Sequence, residues 1–307
     1  MLVLLIAVPL FVKNFVVFQL TMWLIYAIAI LALNLLTGAS GQFSLGQSAF
    51  YAVGAYTAGV MIENMNVNYV LTVPAAGLVC FVVGFLFGYP ARRLSGIYLA
   101  LATFALAVAM PQVLKLGVLE PWTGGVQGLV ITKPNPPFGW KIGQDLWLYY
   151  FTLFFSVVIY ILSVNLLNSR SGRAMMAIRD NQIAAAAMGV DPALYKTLAF
   201  AVTSAFTGIA GALGAIAVSF AAPDSYTVSL AIALFLGMVV GGVGWLPGSL
   251  AGSAFIVFVP NIADHYSKGL SGAVFGFILI AVIFLAPHGA KQIVSKMSSW
   301  LPSGFKK

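Results

Sequence analysis

Side chains able to do chemistry are few in these 307 residues, and their placement excludes more than it offers. The seven carboxylates, Glu63, Glu120, Asp145, Asp180, Asp191, Asp224 and Asp264, fall at the ends of apolar runs or between them. No two are placed to work as acid and base, and none is buried in a run where it would carry a proton. His265 and His288 stand alone near run ends, and Cys80 lies inside an apolar run. Packing is the reading for that thiol; no disulfide and no metal centre is expected. No Gly-Lys pair occurs, so the phosphate-cradling GxxxxGK[ST] loop is missing and the chain cannot hydrolyse ATP by itself. It reads as no enzyme.

Neutral polarity is what the apolar runs do contain. Asn34, Ser44, Gln47, Ser48 and Tyr51 cluster early, Thr103 stands in the middle, and Thr207 and Ser249 come late. Glycines accompany them at Gly208, Gly211 and Gly214 and again at Gly244, Gly248 and Gly252. Small residues let helices approach closely and hydroxyls bond between them, which accounts for any one of these positions as packing. As a set they are a candidate translocation path for a solute without net charge. The lack of buried carboxylates argues against proton coupling, whereas sodium held by unwound backbone carbonyls stays open.

A second concentration of polar residues lies between runs, from Asn168 to Lys196. Its core, SRSGRAMMAIRDNQIAAAAMGVD, is rich in Ala and Met with Arg173, Arg179 and Asp180 interspersed. Such a segment favours short helices, too polar to enter lipid, with Gly189 and Pro192 marking the end of the second. On the other side, Lys115 to Asp145 is rich in Gly, Pro and Trp and fits a folded cap, a docking surface or a plain connection.

The elements that must position these groups are membrane spans. Hydrophobic residues make up 61% of the chain and charged ones 7%, against about 45–50% and about 25% in soluble domains. A spanning helix needs about 20 apolar residues, about 17 at the least. Nine stretches qualify, near 15–36, 46–62, 69–88, 95–114, 146–167, 197–220, 228–244, 246–262 and 270–286. Met1 to Val12 is shorter and fits a thin span, an interfacial segment or part of a longer start; it is counted here as the tenth. The expected fold is an all-α polytopic membrane protein of about ten transmembrane helices, one transmembrane domain over 1–307, with 168–196 as a loop within it. Ten of the fifteen Lys and Arg then share one face: Arg92, Arg93, Arg170, Arg173, Arg179, Lys196, Lys291, Lys296, Lys306 and Lys307. The positive-inside rule makes that face cytoplasmic, with both termini on it. The net charge of +8 is explained this way, without nucleic acid.

One internal echo is visible. Ser44 to Phe50 (SLGQSAF) resembles Ser249 to Phe255 (SLAGSAF), each after a glycine-rich entry. The span count runs both copies in the same direction, whereas an inverted repeat would require a re-entrant segment in one of them.

Several blocks in order now resemble a known family: LNLLTGASGQFSLGQSAFYAVGAYTA, the arginine pair before GIYLALATFALA, TGGVQGL, SRSGRAMMAIRDNQIAAAAMGVDPALYK, PDSYTVSLAI and GGVGWLPGSLAGS. Over about Tyr26 to Pro287 the chain is similar to the LivM-type permeases of branched-chain amino acid ABC transporters. The resemblance implies an importer bundle in a bacterial inner membrane, moving branched-chain or other apolar amino acids. It further implies a second permease chain, as a heterodimer, two cytoplasmic ATPase subunits that hold ATP and Mg, and an external substrate-binding protein. The segment containing Gly172, Arg173, Arg179, Asp180, Ala184, Ala185 and Gly189 matches the coupling segment through which such permeases meet their ATPase, with Ala184 and Ala185 as the small contact face and the charges as its rim. It departs from the pattern Glu-Ala-Ala-x-x-x-Gly in carrying Ile183 at the acidic position. Related permeases carry urea and other small neutral solutes, and a sodium-coupled secondary transporter is the competing class. The topology has a direct check: a reporter fused after Lys307 is expected to read as cytoplasmic, and a signal from the opposite side would overturn the assignment.

Overall fold

The computed structural model describes residues 2–10, 12–91, 93–94, 96–136 and 143–266, with a few positions from 276 to 292. Apart from Gly276, Phe277, Ile280 and Phe284, the span expected at 270–286 lies outside the described residues, as do Arg92, Lys141, Lys268, Lys291, Lys296, Lys306 and Lys307.

The chain begins with α1 (Leu2–Ala7) and a 3-10 turn (Val8–Leu10), then runs through α2 (Asn14–Ser40), α3 (Gln47–Glu63), α4 (Tyr69–Ala91) and α5 (Ile97–Leu114). Next come the short α6 (Glu120–Thr123), β1 (Leu129–Val130), α7 (Gln144–Asn168), α8 (Arg170–Asp180) and α9 (Gln182–Ala187). The last part holds α10 (Pro192–Val218), β2 (Phe220–Ala221), a 3-10 turn (Pro223–Tyr226), α11 (Val228–Gly241) and α12 (Gly248–Tyr266).

Among the described residues, six helical segments are long and apolar enough to cross a membrane: α2, α4, α5, α7, α10, and α11 taken with the turn before it, Pro223–Gly241. Ten crossings are not confirmed. At the N-terminus, six α-helical and three 3-10 residues extend about 15 Å, half of a hydrocarbon core of about 30 Å. That segment is pinned to α7 instead, the Tyr149 and Tyr150 hydroxyls donating to the carbonyls of Leu5 and Ile6 at 2.8 and 2.9 Å. Helix α3 has 17 residues and the apolar part of α12, Gly248–Ile262, is shorter still. Apolar content marked both as spans; it does not reveal that each begins only after a break buried in the bundle.

Helix α10 is the centre, packed by α2, α3 and α4 along most of its length. Glycine makes this possible. A Cβ at Gly54 would fall inside the Gly208 carbonyl, one at Gly211 inside the Tyr51 carbonyl, one at Gly214 on the Tyr51 hydroxyl and one at Gly208 on the Cys80 sulfur. Helices α3 and α4 thus lie almost backbone to backbone on α10, the close approach that small residues allow without water or a hydrophobic driving force between spans. Cys80 is buried there as packing, its thiol donating to the Phe50 carbonyl. Helices α11 and α12 form a second seam, an antiparallel hairpin in which Gly237 faces Gly252 and Gly241 faces Gly248. Opposite faces of the outer helices stay apolar and exposed, as at Leu71, Leu78 and Leu86 of α4 and Ile97 and Leu101 of α5, which suits contact with lipid.

The two ends of the bundle differ in charge. Arg170, Arg173, Arg179 and Lys196 gather at the end that carries α8 and α9, called here the basic end. At the other end Lys115 pairs with Asp224 at 2.6 Å and Lys133 with Asp145. The long loop there is a folded cap: β1 pairs antiparallel with β2, Leu129 opposite Ala221, and Thr132 is held by Glu63 through its N–H and hydroxyl. Both copies of the sequence echo open a helix after a glycine break, α3 from Gln47 and α12 from Gly248, and both helices lead away from the basic end.

The α10 seam yields a stability test. Gly211→Val is expected to destabilise the folded protein by about 3 kcal/mol or more, because neither backbone can retreat from the new Cβ. Gly117→Val, at a site with nothing within 4 Å of the added carbon, stays within about 0.5 kcal/mol of the parent. Thermal unfolding in detergent compares the two; equal midpoints would refute the seam.

Candidate functional site

The site is built around the break between α2 and α3. Gly41, in the left-handed region at φ 68°, ends α2 and returns its N–H to the carbonyls of Leu36 and Thr37. Residues 41–46 then run without helical structure although Gln42, Ser44 and Gly46 are buried. Backbone freed in this way must be satisfied by the protein itself. The Leu45 N–H donates to Thr103 Oγ1 of α5 at 3.0 Å, and the Gly46 N–H to Ser44 Oγ at 3.2 Å. Gln42 Nε2 donates to Ser40 Oγ and to the Lys196 carbonyl at 3.0 and 3.1 Å. Five residues on, Gln47 Oε1 accepts from the Thr207 hydroxyl at 2.6 Å. Lys196 and Thr207 are eleven residues apart on α10, about 16 Å of helix, so the break carries the chain from the basic end deep into the bundle before α3 starts.

The opening of α3 is unusually polar for its depth. No side chain caps it. Gln47 and Ser48 are 1% and 0% exposed, yet among the described residues Gln47 Nε2 and Ser48 Oγ find no partner, and nor does Ser204 Oγ on α10. Orphaned buried polar groups cost about 1–3 kcal/mol each and are rare enough to mark a place that does something else as well. One turn further, Tyr51 stacks on Tyr26 of α2 with ring centroids 6.4 Å apart and lies 5.8 Å from Tyr226, which also meets Tyr56. Tyr56 reaches the opposite end, donating to the Ala221 carbonyl at 3.2 Å. Hydroxyls, an amide and aromatic faces therefore follow one another along α3. Tyr26 and Tyr226 are the members that spacing did not single out, since they join only through packing of α2 and the 3-10 turn on α3.

Two expected members lie elsewhere. Asn34, 1% exposed, is consumed by the α11–α12 turn: its Nδ2 donates to the carbonyls of Gly242 and Trp245 at 3.1 and 3.0 Å, and its Oδ1 accepts from the Gly244 N–H at 2.6 Å. That is a structural clamp on a loop inside the bundle. Ser249 donates to the Leu246 carbonyl and borders a separate apolar cavity of 540 Å³ between α2, α7 and the start of α12, lined by Leu24, Ile28, Leu31, Leu153, Val157 and Leu250. The structure thus brings together Ser44, Gln47, Ser48, Tyr51, Thr103 and Thr207 and leaves Asn34 and Ser249 out. No group of three or more possible metal ligands occurs among the described residues.

The segment from Asn168 to Lys196 forms two short helices, as its composition predicts. Ser169 caps α8, accepting from the Gly172 N–H, and Asn181 caps α9, accepting from the N–H groups of Ile183 and Ala184. Several expected roles change. Gly172 lies against the carbonyls of Leu166 and Leu167, where a Cβ would collide, so it serves the sharp α7–α8 corner. Ala185 is buried against its own chain at 5% exposed, while Ala184 stays exposed. Gly189 takes φ 84° with open space around it; its need is conformational, not steric. Pro192 does not end the second helix but opens α10, after Asp191 as cap. Arg173 donates to the Asn168 carbonyl at 2.8 Å, and Arg179, still exposed, reaches the Gly38 carbonyl with Asp180 beside it. Two large apolar side chains stand exposed among these charges: Ile183 is 84% and Met188 86% exposed.

The comparisons with known proteins agree with this architecture. The family described as the branched-chain amino acid transport system permease component matches residues 15–283. The high-affinity branched-chain amino acid transport system permease protein LivM of Salmonella typhimurium is 30% identical, covering 94% of this chain and 73% of its own, and that of Escherichia coli matches to the same extent. A probable branched-chain amino acid transport permease LivM of Methanocaldococcus jannaschii is 23% identical over 86% of this chain and 90% of its own. No solved structure matches. A multi-pass helical bundle, a buried neutral polar row and a family match across nearly all of its spans place this chain in the branched-chain amino acid transport permease family.

Proposed function

We propose that this chain is the translocation subunit of an ABC importer for branched-chain or other apolar amino acids, driven by ATP hydrolysed on separate subunits. The observation that carries the reading is the family match over residues 15–283. The partners are a second permease chain of similar fold, two ATPase subunits that hold ATP and Mg, and an external substrate-binding protein. The basic end is cytoplasmic in a bacterial inner membrane, in keeping with the positive-inside rule, and the β1–β2 cap faces the binding protein. The solute passes along α3, where Gln47, Ser48 and Thr207 supply hydrogen bonds and the tyrosines supply apolar faces.

The ATPase docks on α8 and α9. Large apolar side chains that stand in water at the end of a polar segment are costly unless covered, and helix-in-groove recognition uses such anchors. Ile183 and Met188 fit that role better than Ala185, which is already covered. Uptake in vesicles holding the assembled complex with its binding protein and internal ATP tests the whole reading. Uptake by the chain alone under an imposed sodium gradient would sink it.

Two variants separate the parts. Ile183→Asp with Met188→Asp is expected to weaken ATPase association by about 2 kcal/mol or more, read as lost co-purification, while the chain still accumulates in the membrane. Ala185→Trp instead should lower the stability of the chain itself. Thr207→Val leaves the Gln47 amide without its partner and is expected to cut the uptake rate several-fold with ATPase binding unchanged; parental uptake would remove Thr207 from the path.

A further inference from the structure

The α2–α3 break and the α8–α9 segment meet at one side chain. Arg179, in the last turn of α8, lies at the surface with its side chain 40% exposed and reaches across to the end of α2. Its Nη1 donates to the Gly38 carbonyl at 2.6 Å, in the last turn of α2, while Nε and Nη2 donate to Asp180 Oδ1 at 2.9 and 2.7 Å. The stem is fitted as well: a Cβ on Gly41 would stand 2.9 Å from Arg179 Cγ. The final carbonyls of a helix lack intrahelical donors and carry partial negative charge. A guanidinium held by a neighbouring carboxylate meets such a carbonyl in a directional, charge-assisted bond. Gly38 in turn touches the α11–α12 turn, where its Cβ would stand 2.6 Å from Gly244 Cα.

We propose that Arg179 is a positioning residue that ties α8 to the entrance of the α2–α3 break, so that displacement of α8 moves residues 41–46 and, with them, the Gln47–Thr207 contact. The idea rests on the docking role proposed for α8 and α9. The buried side chain of α8 in the same region, Met175, packs on Leu36, Phe50, Ala199 and Phe200, an apolar contact that tolerates sliding. The Arg179 bond has a fixed direction and a single acceptor. It falls three residues before Gly41, where the chain leaves α2 and residues 41–46 depend on groups of other elements for their hydrogen bonds.

The test uses the assembled complex in vesicles. Phe43, 49% exposed within the break, becomes the reporter as Phe43→Cys, with Cys80 buried and silent to a hydrophilic thiol reagent. The labelling rate is expected to differ at least about fivefold between the nucleotide-free and the ATP-vanadate-trapped complex. With Arg179→Ala the ratio should fall to within about twofold and uptake by about tenfold, while the complex still assembles and hydrolyses ATP, and Arg179→Lys should restore part of the ratio. A purely structural cap would lower the amount of folded protein without abolishing the nucleotide dependence. If Arg179→Ala fails to accumulate, Arg179→Met, which keeps the stem against Gly41 and removes every donor to the Gly38 carbonyl, is held to the same outcomes. An unchanged ratio in these variants, or no ratio in the Phe43→Cys parent, overturns the proposal. Failure of the docking reading is seen separately, as co-purification that survives Ile183→Asp with Met188→Asp.

Discussion

Inside a bilayer a backbone N–H or C=O has no water to turn to, and the break between α2 and α3 puts six residues of non-helical chain under that constraint. Much of what surrounds it is an answer to it. Thr103 of α5 accepts the Leu45 N–H, Ser44 accepts that of Gly46, Gln42 spans to the Lys196 carbonyl and Arg179 reaches the Gly38 carbonyl. Helix α5 contributes little else polar to the bundle: its buried face is Leu99, Thr103, Ala107, Pro111 and Leu114, with much of the rest turned outward. The break dictates which neighbours must be present and where their few polar side chains must stand.

The same break explains why α3 can be both buried and polar. A full span would have to present apolar residues from end to end, whereas a helix that starts deep in the protein brings its first turn, with its free N–H groups and Gln47 and Ser48, into the interior. Close packing keeps that interior closed. The glycines of α10 bring α3 and α4 onto its backbone, and Asn34 holds the α11–α12 turn in place with three hydrogen bonds, so two separate non-helical stretches are stabilised within one bundle. The two differ in completeness. The Asn34 amide is satisfied at both ends, and the Gln47 amide at one. A fully satisfied network makes a rigid clamp; a half-satisfied one retains a reason to exchange partners.

Charge is divided along the same axis. Lysines at the cap end are neutralised by carboxylates, at Lys115 with Asp224 and at Lys133 with Asp145, while arginines at the basic end bind helix carbonyls, at Asn168 and Gly38. An arginine spent on a carbonyl keeps its charge, so the basic end remains positive while its side chains serve the fold. Among these charges the large apolar side chains of Ile183 and Met188 stand exposed.

Class, family and the division between apolar helices and two polar segments were legible in the residues, because lipid imposes composition over windows as long as a span and leaves little freedom there. The helical character of α8 and α9 was legible as well, with Gly189 after the second of them, whereas the caps Ser169 and Asn181 came only with the structure. Depth and partnership were not. Hydropathy does not distinguish a helix that crosses from one that starts halfway, so α3 and α12 read as spans until the contacts of Gln47 with Thr207 and of Asn34 with the 242–245 turn located their beginnings. Burial likewise separated Ala185 from Ile183, and only the approach of α8 to α2 turned Arg179 from a presumed surface charge into a bond across 141 residues of chain. Such contacts depend on which helices meet and at what level, and that is decided by glycine seams and backbone satisfaction in three dimensions, not by any local pattern of residues.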